Sequence, residues 1–267
     1  MLYNKIKGFI SIKEGNYPEA NFYANRTKFL YENYPYLIKK DPGDYLRSIR
    51  NICISLIFNK MYNEAENLIN ELESNPVEFS KSKNADVITE YFTLTVLIKL
   101  DIIIASGKME EQSEEVANLE SKYNELKELL PLNEKLNANL SFSLINLHSG
   151  NYRKALKQVN FIIKNAAKFR QDVFHLALMS ELVLHYLLDN IQLLQSKLNS
   201  FKRYISEPDP PFGFEKEIPQ LVTKIINAPN NKANFIQLHE TISKSLEAEN
   251  KIVYKNFISF YLIRYRK

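Results

Sequence analysis

The sequence predicts an all-α fold, an array of stacked antiparallel helix hairpins closed by a helical C-terminal cap, and three observations predict it. The hexapeptide GNYPEA beginning at Gly15 recurs as GNYRKA beginning at Gly150, with a weaker copy, KMYNEA, beginning at Lys60. Gly107 and Asp189 stand at equivalent places, so the turns at Gly15, Lys60, Gly107, Gly150 and Asp189 follow one another at intervals of 45, 47, 43 and 39 residues. A repeat of this length is the mark of stacked helix pairs. Composition agrees: 6 glycines, no tryptophan and 45% apolar residues in 267 positions suit a folded helical chain, not a disordered or all-β one.

An apolar-periodic helix precedes each turn: Tyr3 to Ile12, Ile49 to Phe58, Phe92 to Ile104, Leu136 to Leu147 and Val173 to Leu188. A second helix follows each turn. Glycine ends the first helix because it adopts a left-handed backbone at an advantage of about 1 kcal/mol over a residue with a β-carbon. Pro18 sits near the start of the second helix, where a missing amide proton costs nothing. The tyrosines Tyr17, Tyr62 and Tyr152 are placed to wedge between helices, and the alanines Ala20, Ala65 and Ala155 to let two backbones approach closely. Ile52, Cys53 and Leu56 precede the second turn, and Ala65, Ile69 and Leu72 follow it. Phe142 and Ser143, then Ala155, Val159 and Ile162, repeat the pattern in the fourth pair, with a small residue, Cys53 or Ser143, at one point of the packed face.

This arrangement of small residue, Gly, Tyr, Ala and a larger apolar residue four positions on resembles the tetratricopeptide repeat. The resemblance implies hairpins stacked into a right-handed superhelix. It is clear over residues 1 to 76 and 136 to 166, fair over 172 to 204 and poor over 84 to 130. The fifth pair, Tyr186 to Leu194 with Ser200 to Tyr204, is also similar to bacterial tetratricopeptide-type proteins that carry no assigned activity. Repeats of the family are about 34 residues long, so longer helices or loops must absorb the extra length here. The proline that closes a family repeat is matched only loosely, by Pro35 and Pro76.

Residues 1–205 are expected to form about five pairs, and 206–267 a proline-rich break followed by capping helices. Ser74 to Ala85 reads as a loop. Glu110 to Glu128 reads as a helix with a solvated acidic face and a buried side of Val116, Leu119, Tyr123, Leu126 and Leu130. The segment from Ser206 through Pro219, with four prolines, stops the array. Three helices, near Phe214 to Asn227, Lys232 to Ser245 and Lys251 to Arg264, then serve as the cap that a solenoid end requires.

The function classes narrow by elimination. A net charge of +4 from 35 basic and 31 acidic residues is too dilute for nucleic acid. Cys53 is the only cysteine, so no disulfide forms within the chain. The amino terminus lacks the pattern of a secretory signal, and the longest apolar stretch, Leu94 to Ala105, is interrupted by Lys99 and Asp101, too short for a membrane span; a cytoplasmic chain is expected. His148, His175, His185 and His239 have no metal-ligand spacing, no phosphate loop or nucleophile elbow is present, and Cys53 falls at a packing position. No catalytic residue, metal or cofactor is expected, and hence no enzyme.

Binding remains. The first helices of stacked pairs line a concave surface, and its polar candidates are Lys5, Arg47, Arg50, Asn51, Asn139 and Asn146, with Glu181 further along. Arg47 and Arg50, three apart, share a face and are suited to grip a peptide carboxylate. In tetratricopeptide modules that clamp a terminal carboxylate, Lys5 and Asn51 match two clamp positions, whereas Phe9, Leu94 and Ile98 depart from it. Basic residues beside aromatics at Phe201 to Tyr204 and Tyr261 to Lys267 read as complements to helix C-termini. The expectation is a non-catalytic scaffold or adaptor for a protein or peptide partner. The alternative, motivated by a first helix that starts almost at residue 1 with no preceding cap, is the carboxy-terminal sensing module of a longer regulator.

Overall fold

All five turns place their pivot residue in the left-handed region: φ is 72° at Gly15, 61° at Lys60, 75° at Gly107, 77° at Gly150 and 57° at Asp189. Among the described residues these are the positions with positive φ. The computed structural model describes residues 1–74, 79–205 and 218–227, with Gln237 and Glu240, and the regular elements among them are all helical. Four of the turns close by one hydrogen-bond pattern. The amide of the residue after the pivot donates to the carbonyl five back, in Asn16 to Ser11, Met61 to Leu56, Asn151 to Asn146 and Asn190 to His185, at 2.8–2.9 Å. The pivot amide donates three back, to Ile12, Ile57, Leu147 and Tyr186. This paired closure satisfies the carbonyls left over at a helix end. At Gly107 the pivot amide likewise donates three back, to Ile104 at 3.2 Å, but the Ser106 hydroxyl donates to the Ile103 carbonyl, also at 3.2 Å, and the connection lengthens to Gln112.

The hairpins that flank these turns run in chain order. The first pairs α1 (Leu2–Lys13) with α2 (Tyr17–Asn33), and a short α3 (Tyr36–Lys40) follows. The second pairs α4 (Pro42–Phe58) with α5 (Tyr62–Glu73). The third combines α6 (Ala85–Phe92), a π-helical stretch (Thr93–Ile98) and α7 (Lys99–Ser106), set against α8 (Ser113–Leu126). The fourth pairs α9 (Leu132–His148) with α10 (Tyr152–Ala166), and the fifth α11 (Gln171–Leu187) with α12 (Ile191–Tyr204). Then comes α13 (Ile218–Asn227).

The chain divides into two compact units, Met1–Ala138 and Asn139–Lys267. In the first, α2 packs on α4, and α4 packs on α5 and α6. Its core holds an aromatic series in which the Tyr31, Tyr45, Phe79 and Tyr91 rings succeed one another at 5.4, 6.1 and 6.3 Å. Tyr17 stacks on Phe58 at 4.0 Å, so the tyrosine after the first turn wedges against the end of α4. In the second unit α11 packs against both α10 and α12, and α13, which buries Leu221 and Ile225, packs on α12. The expected helices beyond Asn227 and the prolines before Ile218 lie outside the described residues, as does Pro76.

Packing repeats with the turns. Counting 5, 9 and 12 residues past the pivot, the second helices bury Ala20, Ala24 and Thr27; Ala65, Ile69 and Leu72; Ala155, Val159 and Ile162; and Leu194, Leu198 and Phe201. Seven before the pivot stand Gly8, Cys53 and Ser143, all buried. The extra length of the repeat is also located. Helix α3 fills the space after α2, with Pro35 at its start, and α4 begins at Pro42, seven residues earlier than the apolar period suggested. Asp41 makes that early start possible: its carboxylate accepts the Asp44 amide at 3.0 Å as an N-cap.

Candidate interaction face of the first helices

Of the six expected binding residues, Lys5, Arg47, Arg50 and Asn51 belong to the first unit, and Asn139 and Asn146 to the second. Three of the four in the first unit meet carboxylates of their own chain. Lys5 on α1 donates to the Asp44 carboxylate of α4 and lies 3.2 Å from the Tyr31 hydroxyl, which in turn donates to Asp44. Arg47 Nη1 holds both oxygens of Asp86 on α6, at 3.0 and 2.9 Å, and approaches Glu90 at 3.7 Å. Arg50 pairs with Glu90 at 2.9 Å. Arg47 Nε also approaches Asp44 at 3.5 Å, so α1, α4 and α6 are joined through one alternating set of charges, which α2 enters through the Tyr31 hydroxyl.

Spacing explains why the two arginines act together. They are three residues apart on α4, and Asp86 and Glu90 are four apart on α6, so each pair forms a row on a helix face. Gly43, in the first turn of α4, leaves the room: a β-carbon there would collide with the Asp86 carboxylate. Burial pushes the Glu90 carboxyl above its ordinary value, against the pull of Arg50 and Arg47 and with help from the negative charges of Asp86 and Glu134. The arginine spacing was legible as a carboxylate grip. That the carboxylates belong to α6 was not, because the two rows lie about forty residues apart in sequence.

The other candidates differ. Asn51 and Asn139 are half-buried. Asn146 is a correction to the expected surface position: only 7% exposed, it donates to the Phe142 carbonyl at 2.9 Å and to Gln158 Oε1 of α10 at 3.1 Å. It lies on the side of α9 that meets α10, where an amide must find partners. Glu181 is likewise buried and pairs with Lys197 of α12 at 2.6 Å.

A second charge cluster leaves no local signal in the sequence, its members standing 26 and 49 residues apart. Glu73, at the end of α5, receives Lys99 of α7 at 2.6 Å and Lys122 of α8 at 2.8 Å, and Lys99 also approaches Glu115. Burial alone would raise the Glu73 carboxyl, but the hydrogen bonds from Lys122 and Lys99 and their charges hold it below the ordinary glutamate value. The acidic helix α8 is thus tied to α5 through its basic Lys122 and to α7 through Glu115.

For chemistry the surroundings are plain. Cys53 is fully buried, and burial pushes its thiol up to about 12, which removes the thiolate a nucleophile needs. Among the described residues no group of three or more His, Cys, Asp or Glu side chains could hold a metal ion, and no helix is long and apolar enough to cross a membrane. What the described residues define is an all-helical protein of adjacent helix pairs joined by one recurring turn. Compared with known proteins, the chain matches no family model, no curated sequence and no solved structure.

Proposed function

We propose that the chain is a right-handed stack of tetratricopeptide-like hairpins that binds a protein or peptide partner along its first helices and performs no catalysis. One observation carries this reading: five turns with the same left-handed pivot, four of them with the same closure, followed in four hairpins by the same three buried positions. Residues of the repeat go to joints and packing, which leaves variation to the helix faces between them. On α4 that face carries Arg47, Arg50 and Asn51. A partner carboxylate exchanges there with Asp86, which is half-exposed, more readily than with the buried Glu90.

A random peptide library displayed against the full chain tests this. Selected peptides should lose about tenfold or more in affinity on Asn51→Lys, at an unchanged thermal midpoint. They should bind unchanged on Asn67→Lys or Lys157→Glu, on exposed positions of α5 and α10. Failure to enrich any peptide, sensitivity confined to the second helices, or a saturable turnover of substrate by the purified chain overturns the reading.

A further inference from the structure

We propose that the first hairpin binds a small aromatic carboxylate in a pocket formed by α2 and Asn4 of α1. The site lies on a second helix, apart from the α4 face assigned to peptides, and does not depend on that reading. The pocket encloses about 640 Å³ and is lined by Asn4, Phe22, Asn25, Arg26, Phe29 and Leu30. Small-molecule sites ordinarily measure about 300–1,000 Å³. The five residues of α2 are spaced i, i+3, i+4, i+7 and i+8, so one face of the helix supplies them. Phe22 and Phe29 stand about 10 Å apart along the helix axis, with Asn25 and Arg26 between them.

Both walls of the site break the repeat. Seven and fourteen residues past the pivot, where α2 has Phe22 and Phe29, the other second helices carry Asn67 and Ser74, Glu114 and Ser121, Lys157 and Lys164, and Ser196 and Arg203. All of these are polar and exposed, as a solvated helix face requires. The two phenylalanines are 55% and 62% exposed at the same places. Asn4 departs in the other direction. Eleven before the pivot its equivalents are Ile49, Val96, Asn139 and Leu178, of which the three apolar ones are buried and Asn139 is half-buried. Asn4 is only 8% exposed, and no described group pairs with its side-chain amide. A buried amide without a partner is costly. What Asn4 still exposes belongs to the pocket wall, where a ligand satisfies it.

Charge and shape select the ligand. Arg26 is the cation of the wall, and its guanidinium lies over the Phe22 ring at 5.6 Å, which restrains its fork of donors at that end of the pocket. Among the described residues no carboxylate pairs with Arg26; of the other acids of α2, Glu19 is held by Asn16 and Glu32 by Lys28. The fork is therefore open to both oxygens of a ligand carboxylate. Asn4 adds an amide donor from α1. The Asn25 amide group already donates to the carbonyl and Oδ1 of Asn21, which leaves the Asn25 side-chain oxygen as an acceptor. At the other end Phe29 and Leu30 cover an apolar body, and a flat ring stacks best on phenylalanine. One cation beside one apolar end fits a monocarboxylate, not a polyanion.

The probe is biphenyl-4-carboxylate, a rigid rod charged at one end, titrated into the full chain and followed by saturation-transfer NMR, with biphenyl-4-carboxamide as its uncharged counterpart. Expected is saturable binding of the acid with a dissociation constant of about 10 μM to 1 mM, and binding of the amide about tenfold weaker or more. Arg26→Met, at an exposed position, should erase the preference for the acid at an unchanged thermal midpoint. Phe29→Ser should weaken acid and amide alike by about tenfold. Asn4→Asp, of the same shape but anionic, should weaken the acid by about tenfold or more and spare the amide. Asn51→Lys should change neither affinity, so this site and the peptide face stand or fall separately. No saturable binding of the acid at about 1 mM, equal binding of acid and amide, or an undiminished preference in Arg26→Met overturns the proposal. So does a short peptide ending in phenylalanine that binds more tightly than the rigid acid, since the pocket would then be built for a chain terminus.

Discussion

A left-handed backbone costs a residue with a β-carbon about 1–2 kcal/mol, and glycine escapes most of it. Gly15 isolates that term, because a β-carbon added there meets no atom within 4 Å and only φ, at 72°, resists it. Gly15→Ala should therefore lower unfolding free energy by about 1 kcal/mol in urea denaturation. Gly8 is the contrast. It lies inside α1, where its β-carbon would rest at ordinary distances of 3.6–4.0 Å from Tyr23, Ala20 and Ala24. Gly8→Ala should raise stability by about 0.5–1 kcal/mol in the same experiment, since glycine weakens a helix interior. If both substitutions shift stability in one direction, the distinction between pivot and packing glycine is wrong. The pivots were legible residue by residue because the turn is local, and even Lys60 and Asp189, without glycine's freedom, could be located by counting from their neighbours.

Among elements, the second helices show what a recurring alanine does. Ala20, Ala65 and Ala155 are fully buried five residues past their pivots, and the Ala65 carbonyl lies 3.9 Å from Cys53 Sγ on the facing helix. Ala65→Leu should overpack α4 against α5 and cost about 1–3 kcal/mol, read as a lower urea midpoint with an unchanged slope. A wild-type midpoint would show that the two backbones are not in close approach. Other elements left weaker traces. The five residues of α3 are too few to form a helix alone or to display a period, so packing against α4 decides its state. The π-helical stretch TLTVLI is buried throughout Leu94 to Ile98, so it shows no alternation of buried and exposed positions from which helix type is legible. It lies in residues 84–130, where the likeness to a tetratricopeptide repeat was poorest.

In the first unit as a whole, charge ties distant helices together, and pH reads those ties. The folded value of Glu73 is depressed, so its stabilising contribution is complete above the ordinary glutamate value of about 4.3 and disappears as pH falls through the folded value. Glu90 has the opposite sign: raised by burial, it favours the folded state increasingly as pH falls through its folded value. Between about pH 5 and pH 3 the Tm of Glu73→Gln should accordingly fall less than that of the wild type. Equal slopes would mean that Lys99 and Lys122 contribute nothing through Glu73. The sequence by itself determined the turns, the pairing of helices around them and the buried positions counted from each pivot. Each of these follows from local backbone sterics and from a periodicity that every repeat restates. Only the tertiary structure decided that Arg47 and Arg50 hold Asp86 and Glu90, that Asn146 is buried, and that α1 keeps an apolar face exposed. Those outcomes depend on which helix surfaces meet across some forty residues of chain, and no local pattern encodes that meeting.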